Sequence, residues 1–245
     1  MTDEANDENS DEGYLKLIED FESRIKEDPN DVESRFILGS VHEEAEHLSL
    51  AEKLYREVIK INPDHPIAHF SLAKVLGKAN RLGKALDSCK KAIEINSEEP
   101  EFYLLLAAIY DAQECLEEAA EACEKAVKLD TEDAEANFGL GSVYAKLGRM
   151  ELAIEKYKDA IRLEPDYLEA HHNLALAYDA EQEGFSAIIH LRLARALMTN
   201  EIESAEAIKE LDDYLDELYD EYAYEACDFE DKSEDETQDD KLPEN

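Results

Sequence analysis

The sequence predicts an all-α fold built from repeated helix–turn–helix elements, and three features of the chain support this. Ala, Leu, Glu and Lys, which favour helix, dominate the 245 residues, whereas only 8 Gly and 6 Pro are available for turns. Apolar residues in the middle and near both ends recur at three- and four-residue steps, the spacing of one helix face. The middle of the chain also repeats its pattern of large and small residues every 34 positions.

The repeat is defined by four positions that recur in step. A leucine opens the pattern, at Leu38, Leu72, Leu106, Leu140 and Leu174. A small residue follows it directly, at Gly39, Ala73, Ala107, Gly141 and Ala175. An alanine stands 13 positions after the leucine, at Ala51, Ala85, Ala119, Ala153 and Ala187. A further small or β-branched residue comes seven later, at Val58, Ala92, Ala126, Ala160 and Ala194.

Each repeat contains two predicted helices, for example Pro66–Lys78 and Leu82–Ile95, separated by a polar turn at 79–81. A large residue beside a small one allows two helices to approach closely, because the large side chain fills the gap above the small one. Neither helix can bury its apolar stripe alone, so neighbouring helices must stack into a continuous array.

This pattern resembles the tetratricopeptide repeat family, in which Leu, a small residue, Tyr, Ala and Pro follow in this order. The five repeats would be 32–65, 66–99, 100–133, 134–167 and 168–201. The tryptophan that often opens the family pattern is replaced here by Arg35, His69, Tyr103, Asn137 and His171. The resemblance implies a right-handed α-solenoid whose first helices line a concave, protein-binding groove.

The segments that flank the repeats are predicted to be capping helices and acidic tails. A stripe that includes Leu17, Phe21 and Ile25 predicts a helix over 14–31, and one that includes Leu211, Leu215 and Leu218 predicts a helix over 202–223. Terminal helices of this kind protect the last stacked surface of an array. Residues 1–13 and 224–245 have almost no apolar periodicity, and we expect them to be disordered acidic tails.

Charge and hydropathy exclude several classes of function. The chain carries 63 acidic and 25 basic residues, a net charge of −38, which opposes binding to nucleic acid phosphates or an anionic membrane. No apolar run approaches the roughly 18 residues of a transmembrane helix, and the acidic N-terminus does not resemble a targeting peptide. We therefore expect the cytoplasm, or the nucleus in a eukaryotic cell. The cysteines form no CxxC pair, and Cys89 and Cys123 are predicted core thiols.

No motif for catalysis, a cofactor or a metal is present in the sequence. His42 and His47 are five residues apart, so on one helix they would point about 140° apart and could not share a metal ion. Acidic residues are so frequent that no single carboxylate pair indicates acid–base chemistry. The sequence therefore predicts a protein that is not an enzyme and has no small-molecule substrate.

The resemblance places partner-binding side chains on the first helix of each repeat. The family's groove positions fall on Phe36, Ile67, Phe70, Lys74, Lys78, Leu104, Asp111, Phe138, Lys146 and His172. Four apolar members recur at one position and lie outside the packing pattern, so we expect them to face solvent, at Phe36, Phe70, Leu104 and Phe138. Burial of this row by the terminal helix or by stacking is the alternative.

Two functions remain open. One is a scaffold or adaptor that binds a peptide or helix with apolar anchors and basic flanks in the groove. The other is an acidic chaperone or escort for a strongly basic client, such as a ribosomal protein or a histone. The Lys and Asn clamp with which heat-shock co-chaperones of the family hold acidic peptides is absent, because Phe36 and Ser40 stand at its positions in the first repeat.

Overall fold

The computed structural model describes residues 4–198 and 205–235, with side chains at 13, 15–198 and 206–222. Every regular element in these ranges is an α-helix. The helices are α1 (Glu4–Glu27), α2 (Val32–Glu44), α3 (Leu48–Ile61), α4 (Pro66–Lys78), α5 (Leu82–Ile95), α6 (Pro100–Ala112), α7 (Leu116–Leu129), α8 (Ala134–Lys146), α9 (Met150–Leu163), α10 (Leu168–Ala180), α11 (Gly184–Leu197) and α12 (Ala205–Asp235). They divide into an N-terminal unit, Met1–Thr131, and a C-terminal unit, Glu132–Asn245.

Helices α2 to α11 form consecutive pairs, as the repeat predicted. The closest packing joins the two helices of each pair, from α2 with α3 to α10 with α11. The predicted helices Pro66–Lys78 and Leu82–Ile95 are observed with the same bounds. The all-α fold of repeated helix pairs is therefore confirmed.

The turn inside each pair has one conformation in all five repeats. The residue eight positions after the repeat leucine has a left-handed backbone, with φ between 55° and 71°, at Glu46, Asn80, Glu114, Gly148 and Gln182. The next residue donates its backbone N–H to a carbonyl near the end of the first helix, as from Arg81 to Leu76 at 2.8 Å. Asn and Gly suit this conformation, whereas Glu and Gln adopt it at an energetic cost. The sequence predicted only a polar or glycine-bearing turn.

Close contact within each pair depends on matched large and small residues. The alanines 13 positions after the repeat leucine, and the residues seven further on, are fully buried in every repeat. Where the first helix has glycine, the second presents a tyrosine, and a Cβ on Gly39 or Gly141 would lie 2.8 Å from the ring of Tyr55 or Tyr157. Where the first helix has alanine, the same position on the second is smaller, at Cys89, Cys123 and Leu191.

The two terminal helices are longer than predicted. Helix α1 begins at Glu4 rather than at 14, and α12 continues to Asp235 rather than ending at 223, so both extend into segments expected to be disordered. Acidic residues near the N-terminus of a helix stabilise the helix by interacting with its macrodipole. The prediction for the N-terminal segment used only apolar periodicity, which does not report this interaction. The remaining residues of the predicted tails, 1–3 and 236–245, lie outside the described residues.

The stripes on the terminal helices differ in burial. On α12 the predicted stripe is buried in full over Ile208, Leu211, Leu215, Leu218 and Tyr222, and the helix packs on α11. Gly184 on α11 is needed there, because a Cβ would overlap the ring of Tyr222. Among the α1 side chains that the structure describes, at 13 and 15–27, only Phe21 is buried, and Leu17 is exposed.

We predict that Gly141→Ala lowers the free energy of unfolding by up to about 2 kcal/mol. The new methyl overpacks against Tyr157, which costs about 1–3 kcal/mol, and the higher helix propensity of alanine returns about 1 kcal/mol. Adding Tyr157→Leu, which reproduces the Ala175–Leu191 pair of the last repeat, should give a favourable coupling of about 1 kcal/mol. Urea unfolding of the four proteins measures this cycle.

Gly77→Ala is the matched control. It lies on a first helix, and an added Cβ would have nothing within 4 Å, so the substitution should raise stability by up to about 1 kcal/mol. Equal effects of the two substitutions would contradict the tight contact at Gly141.

Candidate functional site

In the N-terminal unit, one side of α4 presents four of the predicted groove residues. Ile67, Phe70, Lys74 and Lys78 are spaced by three or four residues and therefore share a helix face. Ile67 is 41% exposed and Lys78 is exposed, whereas Phe70 is half-buried. The face thus begins with an accessible apolar residue and ends with an accessible cation.

The predicted apolar row is not independent of packing. The ring of Phe70 stacks on Phe102, whose side chain is buried, with centroids 4.9 Å apart. The ring centroid of Phe36 lies 5.6 Å from that of Tyr55, and the Phe36 ring stacks on His65 with centroids 5.4 Å apart. The expectation that these rings face solvent freely is therefore corrected, because each is half-buried and leaves only part of its surface accessible.

A polar network crosses from α2 to α4 beside these rings. Lys74 Nζ lies 3.0 Å from Glu43 Oε1 and 5.9 Å from the centre of the Phe70 ring. Tyr55 donates its hydroxyl to Glu43 Oε2 at 2.9 Å, and burial raises the pKa of Tyr55. Glu43 is nearly buried, so Lys74 neutralises an interior carboxylate and is not a free cation for a ligand. The groove pattern of the family did not reveal this pairing.

The remaining predicted residues of this unit are on α6. Leu104 and Asp111 are both half-buried. Asp111 already interacts within the unit and raises the pKa of the buried Cys123 thiol in addition to the larger effect of burial. Leu104 therefore offers a partial apolar surface, and Asp111 a carboxylate that already takes part in the electrostatics of the unit.

In the C-terminal unit, first helices α8 and α10 border a cleft of about 260 Å³. Most of its accessible lining is apolar, and its lining side chains are Ser142, Ala145, Lys146, Met150, Tyr157, Asn173, Leu176 and Ala177. Lys146 is exposed and Leu176 is 42% exposed, which places a cation and an apolar group at the cleft. The cleft is therefore suited to an apolar side chain of a ligand.

Phe138 and His172 lie near this cleft but do not line it. Phe138 is half-buried against Tyr157 and Tyr167, with ring centroids 5.8 and 5.0 Å away. His172 is also half-buried, and burial lowers its pKa. Each therefore leaves only part of its side chain accessible.

Helix α12 reaches the end of α10. Tyr214 and Tyr222 donate their hydroxyls to the two carboxylate oxygens of Asp179, at 2.7 and 3.0 Å. Asp179 is a groove position by family register, and here it is bound by the terminal helix. Helix α12 therefore covers this carboxylate, which lies outside the apolar row of Phe36, Phe70, Leu104 and Phe138.

Four of the seven histidines form two close pairs, His42 with His47 and His171 with His190. Helix α2 ends at Glu44, so His42 and His47 are not on one helix, and their ring centroids lie 5.7 Å apart. The angle of about 140°, which holds for residues on one helix, therefore does not apply to this pair: His42 is buried on α2 and His47 follows it in the turn. No group of three or more His, Cys, Asp or Glu in the described ranges could hold a metal ion.

A second pair lies in the C-terminal unit. His171 Nδ1 and His190 Nδ1 are 3.0 Å apart, and His171 is buried. Burial lowers the pKa of His190 to about 4, with smaller contributions from His171 and Lys158. The buried thiols are equally inert, because burial raises the pKa of Cys89 and of Cys123 to about 12.

Comparison with known proteins agrees with the observed pairs. Family models described as tetratricopeptide repeat match residues 38–100 and 70–134, and one described as TPR repeat matches 141–180, together more than half of the chain. The sequence matches none of the curated proteins with which it was compared. In the described ranges, no helix is both long and apolar enough to cross a membrane.

Solved structures share the fold at low identity. A crystal structure of YrrB, described as a TPR protein with an unusual peptide-binding site, has a TM-score of 0.61 and 20% identity over 73% of this chain and 92% of YrrB. A crystal structure of MamA gives 0.62 and 24%, covering 65% of this chain and 94% of that protein. Yeast Tom70 gives 0.66 and 15%, covering 84% and 43%.

We predict that Phe70→Glu lowers the free energy of unfolding by about 1–3 kcal/mol, because a carboxylate replaces a ring that stacks on buried Phe102. Ile67→Glu, on the same helix face but 41% exposed, should change it by less than about 0.5 kcal/mol. Thermal and urea unfolding compare the two. Equal stability of both variants would show that the Phe70 ring is not part of the packing.

We predict that His190→Ala flattens the acid limb of the stability curve. The unfolded chain takes up a proton near the ordinary histidine pKa of 6.5, whereas folded His190 does so near 4. This contribution to stability is therefore present above pH 6.5 and is lost as the pH falls to about 4. The ring is part-exposed, so the slope should stay below the limit of about 1.4 kcal/mol per pH unit for one proton.

Urea unfolding of the wild type and of His190→Ala between pH 7 and pH 4 measures the pH dependence of stability. Alanine is chosen because Ala122 occupies the same position in the third repeat. The wild type should lose more stability than the variant over this range. Parallel curves would contradict the lowered pKa.

Proposed function

Because the chain belongs to the tetratricopeptide repeat family, whose members are generally protein-interaction modules and not enzymes, we propose that it is a scaffold or adaptor. It holds a peptide or helix of a partner on its first helices. The observation that carries this proposal is the cleft between α8 and α10, where apolar lining is combined with an exposed lysine. That YrrB has a peptide-binding site gives the proposal a precedent in the same fold.

The accessible groups on the first helices define the ligand. Leu176 and Ile67 offer apolar contacts, and Lys78 is an exposed cation, whereas exposed Lys146 already interacts within its unit. Lys74 is held by Glu43, so it contributes shape rather than charge. A ligand with an apolar anchor would satisfy these faces, and basic flanks would be attracted by exposed glutamates of the first helices, at Glu33, Glu44, Glu101, Glu135 and Glu169.

Escort of a basic client is the second candidate, and the net charge of −38 favours it. Between 206 and 222, α12 carries one lysine and eight acids, and all of these acids except Asp212, which pairs with Arg195, are exposed. A surface of this kind attracts basic proteins over long range, and salt screens the attraction. Here the client is held mainly by charge, and the groove is secondary.

A pull-down from source lysate separates the two functions. Full-length protein and a 1–223 form, which keeps buried Tyr222, are compared at low and moderate salt and read by mass spectrometry. An adaptor retains one dominant partner in all four conditions. An escort recovers basic proteins that are lost with salt or with truncation.

Leu176→Glu tests the groove directly. The side chain lines the cleft and is 42% exposed, so the charge should weaken capture of the dominant partner by at least about tenfold while the protein stays folded. Leu152→Glu, at an equally exposed leucine that does not line the cleft, is the matched control. Equal capture by wild type and Leu176→Glu would refute binding at this cleft.

A further inference from the structure

Helix α11 presents an exposed apolar row that the repeat pattern does not require. Phe185 is 59% exposed, Ile189 is 58% exposed and Leu193 is 44% exposed. The three residues are four positions apart, so their side chains lie along one side of the helix over two turns. We call these three residues the α11 row. Single exposed apolar residues are ordinary, but three in line form a continuous patch.

The same positions in the other repeats are occupied differently. Where the last repeat has Phe185, the preceding ones have Ser49, Gly83, Glu117 and Glu151. Where it has Ile189, they have Lys53, Asp87, Glu121 and Glu155. Where it has Leu193, they have Glu57, Lys91, Lys125 and Asp159. None of these twelve residues is buried, so this side of the second helix faces solvent in every repeat.

The α11 row is also separate from the interface with α12. That interface uses another side of α11, where Gly184 lies against the ring of Tyr222. Arg195 on the same side binds Asp212 on α12 at 2.6 Å. The apolar row is therefore neither a stacking surface of the array nor a surface that receives the terminal helix.

We propose that the α11 row is a second docking surface, for an amphipathic helix of a partner that carries basic residues beside its apolar face. Apolar residues at four-residue spacing match the anchor spacing of such a helix. Over 206–222, helix α12 supplies seven exposed acids beside α11, since Asp212 is paired with Arg195, and these outnumber Lys209 and the exposed Arg192 of α11, so the surface complements basic flanks. A second copy of the chain fits less well, because each copy carries a net charge of −38.

Transplanting the third repeat's surface onto α11 tests this. The triple variant Phe185→Glu, Ile189→Glu, Leu193→Lys installs the residues found at 117, 121 and 125. It adds one net negative charge. The control Leu152→Glu adds the same charge at an exposed leucine on α9, where the third repeat also has a glutamate, Glu118. Any loss of a basic ligand by the triple variant therefore cannot come from charge.

The probe is a fluorescein-labelled helical peptide of 18 residues, with leucine on one face and lysine elsewhere. Its matched partner has every lysine replaced by glutamate. Fluorescence anisotropy with the full chain should give a Kd below about 100 µM for the lysine peptide. Affinity should fall at least about tenfold in the triple variant and for the glutamate peptide, and change less than about twofold in Leu152→Glu.

Three outcomes would overturn the proposal. The first is equal binding by wild type and the triple variant, or no binding of the lysine peptide at all. The second is a wild-type dimer in sedimentation that the triple variant converts to a monomer, since a second copy would then occupy the row. The third is a Tm that is lower for the triple variant than for the wild type, combined with no binding of the lysine peptide to the wild type. This result would indicate that the chain's own segment 223–245 covers the α11 row. The cleft variant Leu176→Glu should leave peptide binding unchanged, so failure here is distinguishable from failure of the groove.

Discussion

The structure depends on the close approach of the two helices within each repeat. This approach requires a small residue on the first helix under the side chain of the second, and fully buried alanines along the second helix. A smaller residue on the first helix is matched by a larger one on the second, as in Gly141 with Tyr157, and a larger one by a smaller one, as in Ala175 with Leu191. Because these contacts fix each pair, the outward positions are free to vary without loss of the fold.

That freedom explains how one frame carries different surfaces. The side of α11 that bears Phe185 and Ile189 is charged or small in every earlier repeat, and the backbone pairs remain the same. On the first helices, in contrast, Phe36, Phe70 and Phe138 serve both packing and surface, since each ring is half-buried. Substitutions at these rings are therefore expected to change stability, whereas substitutions on the exposed α11 row are not.

Much of the fold was predictable because its signal is a period. Helix bounds such as Pro66–Lys78 follow from a proline start and a polar turn, and burial of the five in-step alanines follows from their recurrence. The left-handed backbone at Glu46, Glu114 and Gln182 was not predictable, since glutamate and glutamine do not favour it. Repetition of the turn enforces it there.

The candidate site was predictable in place but not in detail. The family register predicts which faces of α4 and α8 carry the candidate residues. Only the structure shows that Lys74 is ion-paired with Glu43, and that Asp179 accepts hydrogen bonds from Tyr214 and Tyr222. Both pairings join residues distant in sequence or on different helices, which a 34-residue period does not reveal. The net acidic charge predicts which class of partner the chain attracts, whereas the contacts in the structure show which side chains are accessible to a partner.

Hydrogen exchange tests the central claim, that the helix pairs are a preformed frame whose outer faces bind. Exchange is followed by mass spectrometry for the free protein and for its complex with the strongest partner recovered from lysate. The account predicts slow exchange around Tyr55, Cys89 and Tyr157 in both states, with partner-dependent slowing only on first helices or on α11. Fast exchange at these second-helix positions in the free protein, becoming slow on binding, would contradict it.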